Sequence, residues 1–139
     1  MATIKRFEDL EIWQDARRLS KEIIFISKNT DLNKDFKFNA QIKDSSGSVM
    51  DNIAEGFERN GNIEFRQFLS IAKGSAGETR SQLYRVFDND YINEEKLNYL
   101  VIEYEKLSVK IHNFITNQKK KDFKGTKFID EHSQNHNKL

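Results

Sequence analysis

The sequence predicts an all-α protein, an antiparallel up-down-up-down four-helix bundle with a disordered C-terminal tail. Apolar residues recur at steps of three and four, which is the spacing of amphipathic helices. The chain of 139 residues contains no proline, so long helices can form without interruption. No segment alternates apolar and polar residues for long enough to predict a β-sheet. Short polar connections between the helices favour antiparallel neighbours.

Each predicted helix has an apolar stripe and ends at turn-forming residues. Residues 29–35 (NTDLNKD) form the first connection, Gly61 ends the second helix, and residues 88–90 (DND) end the third. The stripe of the fourth helix stops near Gln118. Residues 119–139 carry six lysines against three acidic residues and are predicted to be a flexible tail. The predicted helices span about residues 9–28, 36–59, 62–87 and 93–118, and together they form one domain at 1–118.

Glycines inside the two central helices are the most unusual feature of the sequence. Four of the six glycines lie there, and each costs about 1 kcal/mol of helix stability relative to alanine. These glycines are Gly47, Gly56, Gly74 and Gly77. Close helix-to-helix approach is the expected compensation. The same helices carry more apolar surface than one seam requires, which fits either burial against two neighbouring helices or a subunit interface. The candidate packing and interface residues are Met50, Ala54, Phe57, Ile71, Gly74 and Gly77.

Three motifs of the chain are specific enough to compare with a known family. They are NIAEG at residues 52–56, EFRQFLSIAKGS at 64–75 and FEDLEIWQDA at 7–16. These motifs resemble those of the 23S rRNA intervening-sequence proteins, small bacterial four-helix-bundle proteins related to the accessory variability determinant protein of diversity-generating retroelements. The resemblance covers about residues 7–118. It implies a bundle that assembles into a ring-shaped homopentamer, and it supplies no catalytic residues.

The charge balance of the predicted bundle is close to neutral. The whole chain has a formal net charge of +1, and its first 118 residues carry 17 basic and 19 acidic side chains. This balance argues against nucleic-acid binding on charge alone. Members of the family usually carry consecutive basic residues after a Gln-Ile pair in the second helix, whereas this chain has Lys43 followed by Asp44. The acidic residue weakens the nucleic-acid affinity that the resemblance implies for this face.

Basic residues nevertheless line up on two helices and in the tail. Cations on the third helix fall on one line about 10 Å apart, and no acidic residue of that helix shares the line. Such a line can follow a phosphate backbone, and the alternative is a solvated face with salt bridges to neighbouring helices. The tail lysines are either a tether for RNA or an acidic partner, or a solubilising end. The candidate nucleic-acid-binding residues are Arg66, Lys73 and Arg80 on the third helix, Arg17 and Lys21 on the first, and Lys119, Lys120 and Lys121 in the tail.

No constellation of residues predicts catalysis, a cofactor or a metal site. Glu55 and Glu78 flank the small residues, but no histidine lies near them in the sequence to form an acid–base pair. The absence of cysteine excludes a thiolate metal site and a cysteine nucleophile. His132 and His136 are four residues apart, but only Glu131 adds a nearby ligand.

The sequence therefore predicts a non-enzymatic, homo-oligomeric four-helix-bundle module that binds structured RNA or DNA through its basic faces. The family resemblance makes the oligomer a pentamer, and a protein partner is a further expectation. A protein–protein interaction scaffold without a nucleic-acid role is the alternative. No apolar run approaches the roughly 18 residues of a membrane span, and the start of the chain lacks the apolar core of a signal peptide. The expected location is therefore cytoplasmic, without membrane association.

Overall fold

The computed structural model consists of helices joined by short connections. It describes residues 3–136, and the side chains of residues 3–121. Two short 3-10 helices, Phe7–Asp9 and Asp31–Lys34, precede the first and second long helices. No β-strand occurs in the described chain, and the predicted all-α class is confirmed. The four long helices are α1 (Glu11–Asn29), α2 (Phe36–Glu58), α3 (Asn62–Asp88) and α4 (Glu94–His136).

Neighbouring helices pack in opposite chain directions. Helix α1 packs against α2 and α4, and α3 packs against the same two helices. In the seam between α1 and α4, Lys110 bonds to Glu11 near the start of α1. Lys96, which comes earlier on α4, bonds to Glu22 near the other end of α1. This order of contacts is consistent with the predicted up-down-up-down arrangement.

The apolar stripes of the four helices meet in one core. Burying a large apolar side chain of this kind contributes about 1.5–3 kcal/mol of transfer free energy. The periodicity of three and four therefore identifies the inner face of each helix. The largest fully buried side chains are Leu10, Leu19, Ile23, Leu32, Ile42, Ile53, Leu69, Leu83, Leu100, Tyr104, Leu107 and Ile111.

Helices α2 and α3 approach most tightly near the turn that joins them. A Cβ atom added at Gly56 would lie 2.6 Å from the Cβ atom of Phe68, a distance that real Cβ atoms essentially never show. The close approach predicted for the helical glycines therefore exists at Gly56. In the turn itself, Gly61 adopts a φ of 142°, a conformation that side-chain-bearing residues rarely adopt.

Helix α4 is longer than the sequence predicts. Its backbone is helical from Glu94 to His136, whereas the apolar stripe indicates an end near residue 118. The stripe marks only the part of the helix that packs in the core, and a lysine-rich segment without proline retains good helix propensity beyond it. The predicted disorder of residues 119–139 stays a prediction, because the side chains of 122–136 and all of residues 137–139 lie outside the described part.

None of the helices in the described residues has both the length and the apolar character needed to cross a membrane.

Candidate nucleic-acid interface

Aromatic and basic residues form one row along the outer surface of α1. Trp13, Arg17, Lys21 and Phe25 follow each other at intervals of four residues, so they lie on the same side of the helix. The row spans about 18 Å at 1.5 Å per residue. Trp13 is half-buried against the core, whereas the other three side chains are exposed. This α1 row therefore presents two cations between two aromatic rings.

The α1 row lies in a cleft of about 660 Å³ that is open to the surface. Most of the cleft belongs to α1, and one wall comes from α4 through Lys96. We call this surface the α1 cleft. Its charged and aromatic lining residues are Trp13, Arg17, Arg18, Lys21, Glu22, Phe25 and Lys96.

Ion pairs neutralise part of the charge of the α1 cleft. Arg18 lies 3.3 Å from a carboxylate oxygen of Glu103, and the ammonium of Lys96 lies 2.6 Å from Glu22. Within the described part of the chain, neither Arg17 nor Lys21 forms an ion pair. The two predicted α1 residues are therefore the cations of this cleft that have no carboxylate beside them.

A cation–π contact orients one of these two cations. The guanidinium of Arg17 lies 5.8 Å from the centre of the Trp13 ring. Trp13 is itself fixed by an edge-to-face contact with Phe7, with 5.2 Å between ring centres. A held guanidinium loses less conformational freedom when it binds an anion than a free one does. Arg17 is therefore pre-oriented, whereas no such contact holds Lys21.

The predicted cation line on α3 is surrounded differently. We call Arg66, Lys73 and Arg80 the α3 line. Arg80 lies 3.6 Å from Glu105 of α4, so a neighbouring helix supplies the acidic residue that the sequence of α3 lacks. Arg66 is half-buried and also has an interaction partner, whereas Lys73 is exposed. Interactions with other residues therefore neutralise part of the positive charge that the helical spacing predicted to be available for an anion.

The three lysines that the sequence placed in the tail belong to helix α4. Lys119, Lys120 and Lys121 are exposed and follow each other on a helix, so they point about 100° apart. Lys120 and Lys121 line an opening of about 750 Å³ at one end of the bundle, next to the aromatic core residues Phe65 and Phe114. These lysines do not share a surface with the α1 cleft.

The predicted interface residues divide into an inner and an outer group. Met50 and Phe57 pack against the core, which fits the ordinary-burial interpretation. Ala54 is half-buried. On the outer side of α3, Ile71 is 52% exposed, and a Cβ atom added at Gly74 or Gly77 would meet no described atom within 4 Å. The same is true of Gly47 on α2.

Polar side chains fill the middle of the seam between α2 and α3. The hydroxyl of Thr79 donates to the hydroxyl of Ser45 at 2.8 Å, and Ser45 donates to the side-chain carbonyl of buried Gln82. Ser48 and Ser75 share a further hydrogen bond of 2.9 Å across the same seam. Because these buried and half-buried groups bond to each other, the seam serves the packing of the two helices.

Two titratable groups on α4 have shifted pKa values. Hydrogen bonds to Asp15 and Glu11 raise the pKa of Lys110. Burial raises the pKa of the Tyr104 hydroxyl, which has no hydrogen-bond partner among the described residues. Lys110 links α1 to α4 at the end of α1 away from Lys96. The described residues contain no group of three or more histidine, cysteine or acidic side chains that could hold a metal ion.

Sequence reasoning found Arg17 and Lys21 of the α1 cleft but missed its aromatic residues and Lys96. The interval of four residues between Trp13, Arg17, Lys21 and Phe25 is a signal that the sequence contains. The contribution of Lys96 has no such local signal, because 75 residues separate it from Lys21.

Comparison with known proteins identifies the family. The sequence profile of the 23S rRNA-intervening sequence proteins matches residues 8–113. The chain belongs to this family. The matched range covers α1, α2 and α3 completely and the part of α4 that carries most of its buried residues. The α1 row and the α3 line both lie inside it.

A solved structure has the same fold. This chain is similar to a protein of unknown function from the S23 ribosomal protein family, solved from Bacteroides thetaiotaomicron. The TM-score is 0.69 and the sequence identity is 21%. The match covers 76% of this chain and 95% of that chain. At this identity the likeness concerns the fold alone. No curated protein matches the chain.

Proposed function

We propose that this family member is a non-enzymatic, homo-oligomeric four-helix module that binds structured RNA or DNA, and that the α1 cleft is its main binding face. The observation that carries the proposal is the pair of cations Arg17 and Lys21, which have no ion-pair partner in the described chain and line the same cleft as exposed Phe25. Nucleic-acid-binding surfaces combine unpaired positive charge with accessible aromatic groups in this way.

The spacing of the two cations suits a phosphate backbone. Arg17 and Lys21 are separated by one helical turn, which is about 6 Å along the helix axis. Duplex DNA carries one negative charge per about 1.7 Å of its axis, so both cations can meet phosphates of one strand or of facing strands. The α3 line and the terminal lysines Lys119–Lys121 contribute general attraction at a distance in this proposal.

Binding of the purified full-length protein across a salt series tests the proposal. The probes are a structured RNA and a duplex DNA, and the protein variants are Arg17→Gln/Lys21→Gln and a matched control, Lys5→Gln/Lys37→Gln. The control removes the same charge from exposed positions outside the α1 cleft. We expect the α1 variant to weaken binding roughly tenfold or more and to lower the slope of log K against log salt by about 2, because two phosphate contacts are lost.

Two outcomes would contradict this proposal. Equal effects of the α1 variant and the control variant would mean that only net charge matters. No binding at low salt would favour the alternative function, a protein–protein interaction scaffold. The near-neutral charge of the chain and the Lys43–Asp44 pair are the observations that favour this alternative.

The uncovered glycines support the homo-oligomeric part of the proposal. Gly47, Gly74 and Gly77 each cost about 1 kcal/mol of helix stability, and nothing in the described chain packs on them. A second copy of the chain that approaches the backbone closely at these positions would offset this cost. Ile71, exposed on the same helix, adds apolar area to such a contact. The pentameric stoichiometry comes from the family resemblance.

Sedimentation measurements on Gly74→Leu and Gly77→Leu test the assembly. We expect these variants to dissociate while their helical circular dichroism is retained, because the added side chain meets open space within one chain. Asn113→Leu, at an exposed position of α4, is the matched control and keeps the assembly. An unchanged assembly of the glycine variants would remove this interface from the proposal.

A further inference from the structure

We infer that the α1 cleft binds unpaired nucleotides, with a base stacked on Phe25 and the neighbouring phosphates held by Lys21 and Arg17. The inference deepens the proposed function and depends on it. It names the class of nucleic acid, a loop, bulge or single strand, in place of a continuous duplex. Whether the strand is RNA or DNA is left to the experiment, because both supply the same base and phosphate chemistry.

The ring of Phe25 is open to solvent. Its exposed fraction is 61%, although it lies inside a regular helix, one turn before the end of α1, whose inner face is well packed. No ring contact or cation–π contact occupies Phe25 within the described residues. An exposed aromatic ring gives up the transfer free energy of burial, about 25 cal/mol per Å² of apolar surface. A stacked base would recover part of that free energy.

The two ends of the α1 row differ. At one end the Trp13 ring is half-buried and already contacted by the guanidinium of Arg17. At the other end the Phe25 ring is open and lies one helical turn from Lys21. The open ring is therefore the stacking position, and the covered ring holds Arg17 in place. In this arrangement the base stacks at the Phe25 end of the row, and the phosphates bind toward the Trp13 end.

The surface around Phe25 has the size of a ligand site. The α1 cleft has a volume of about 660 Å³, within the roughly 300–1,000 Å³ range of small-ligand sites. In a duplex the bases are stacked on each other, and the major groove of A-form RNA is too deep and narrow for side chains to read. A ring on a helix surface can reach the face of a base only where the base is unstacked. Sequence-tolerant stacking on aromatic side chains is typical of single-strand binding.

The test uses Phe25→Ala and a matched aromatic control, Phe36→Ala. Phe36 is 80% exposed at the start of α2 and lies outside the α1 cleft. The probes are a hairpin with an unpaired loop and a blunt duplex of the same length, each as RNA and as DNA. Trp13 is the only tryptophan of the chain, so its fluorescence reports binding in the α1 cleft directly.

We expect wild-type protein to bind the hairpin more tightly than the duplex and to change its Trp13 fluorescence on binding. Phe25→Ala should weaken hairpin binding about fivefold or more, in line with the loss of one stacked base, and should leave duplex binding and the salt slope unchanged. Phe36→Ala should bind like wild type. RNA hairpins and DNA hairpins that bind equally would show that the 2′-hydroxyl takes no part.

The two proposals fail in different ways. If Phe25→Ala and Phe36→Ala bind the hairpin alike, or if the duplex binds as tightly as the hairpin, the inference about unpaired nucleotides is wrong. The proposed function still holds in that case, provided that Arg17→Gln/Lys21→Gln weakens binding. If no probe binds at low salt, the proposed function fails and the inference fails with it.

Discussion

The α1 cleft and the α3 line contain similar numbers of cations, yet their surroundings differ. On α1, Arg17 and Lys21 have no ion-pair partner in the described chain, and an exposed aromatic ring lies beside them. On α3, Arg80 lies 3.6 Å from Glu105 of the neighbouring helix, and the exposed Tyr84 lies one helical turn after this paired cation. The spacing of cations along one helix is thus a weak guide to their availability, because the adjacent helix decides which of them are neutralised.

A second difference lies in the space beside each helix. The α1 cleft is concave and contains long side chains. The outer face of α3 is low, with the helix backbone close to the surface, because Gly74 and Gly77 have no side chain. A concave basic surface suits a charged ligand with a protruding group. A low surface next to exposed Ile71 suits a second protein backbone. We therefore propose different main roles for the two faces: direct nucleic-acid binding for α1, and assembly for the part of α3 around Gly74 and Gly77, while the α3 line adds only general attraction.

Charge reversal should lower nucleic-acid affinity much more on α1 than on α3. We expect Arg17→Glu/Lys21→Glu to weaken nucleic-acid binding more than tenfold, because two phosphate contacts become repulsions. Lys73→Glu/Arg80→Glu should weaken it less than about threefold, because Arg80 is already paired. Fluorescence titration at two salt concentrations measures both affinities. A larger loss from the α3 variant would exchange the roles of the two faces.

Alanine substitution at buried and uncovered glycines should change stability in opposite directions. Gly56→Ala should lower the free energy of unfolding by about 1–3 kcal/mol, because its Cβ atom would lie 2.6 Å from Phe68. Gly74→Ala should raise it by up to about 1 kcal/mol in a dissociated chain, because alanine favours the helix and meets open space. Urea unfolding at low protein concentration measures both changes.

The outcome at Gly74 also reports on assembly. A lower stability of Gly74→Ala that appears only at high protein concentration would support a covered α3 face. A lower stability at every concentration would contradict the open space that the structure places beside Gly74.

Removing the acidic partner of Arg80 should increase the contribution of the α3 line. Glu105→Gln frees the guanidinium of Arg80, which lies 3.6 Å from the carboxylate. We expect nucleic-acid affinity to rise by less than about threefold, since a surface ion pair is worth only about 0–1 kcal/mol. Glu95→Gln removes the same charge from an exposed position of α4 and serves as control. A tenfold rise in affinity would show that the ion pair of Arg80 was the only reason why α3 bound nucleic acid more weakly than α1.

High pH should loosen the seam between α1 and α4. Hydrogen bonds to Asp15 and Glu11 raise the pKa of Lys110 above its usual 10.5. The contribution of Lys110 to stability is therefore complete below pH 10.5 and is lost as the pH rises through the higher, folded-state pKa. Above pH 10.5, the melting temperature of Lys110→Arg should fall less with rising pH than the melting temperature of the wild-type protein. Equal pH dependence of the two proteins would exclude this role for Lys110.

Most of the fold follows from the sequence because helices are local structures. The steps of three and four indicated the inner face of each helix, and residues such as Ile23, Ile53 and Leu83 are fully buried there. The polar connections indicated where α1, α2 and α3 end. The length of α4 was the exception, because an apolar stripe shows where a helix packs and gives no limit to the helix itself.

The candidate site followed from the sequence only in part. The positions of Arg17, Lys21, Lys73 and Arg80 on their helices are consequences of 3.6 residues per turn. Their surroundings are not, because Glu105 pairs with Arg80 across 25 residues of sequence. Across the other seam, Glu103 pairs with Arg18 over a separation of 85 residues.

The sequence thus determined the helices, their buried faces and the order of charges along each of them, because each depends on residues within a few turns. Tertiary structure decided which cations keep their charge available, which glycine is pressed against a neighbouring helix and which are uncovered. These outcomes depend on the rotation and register of packed helices. A shift of one residue turns a side chain by about 100°, and that is enough to move Gly56 out of its contact with Phe68 or Arg80 away from Glu105.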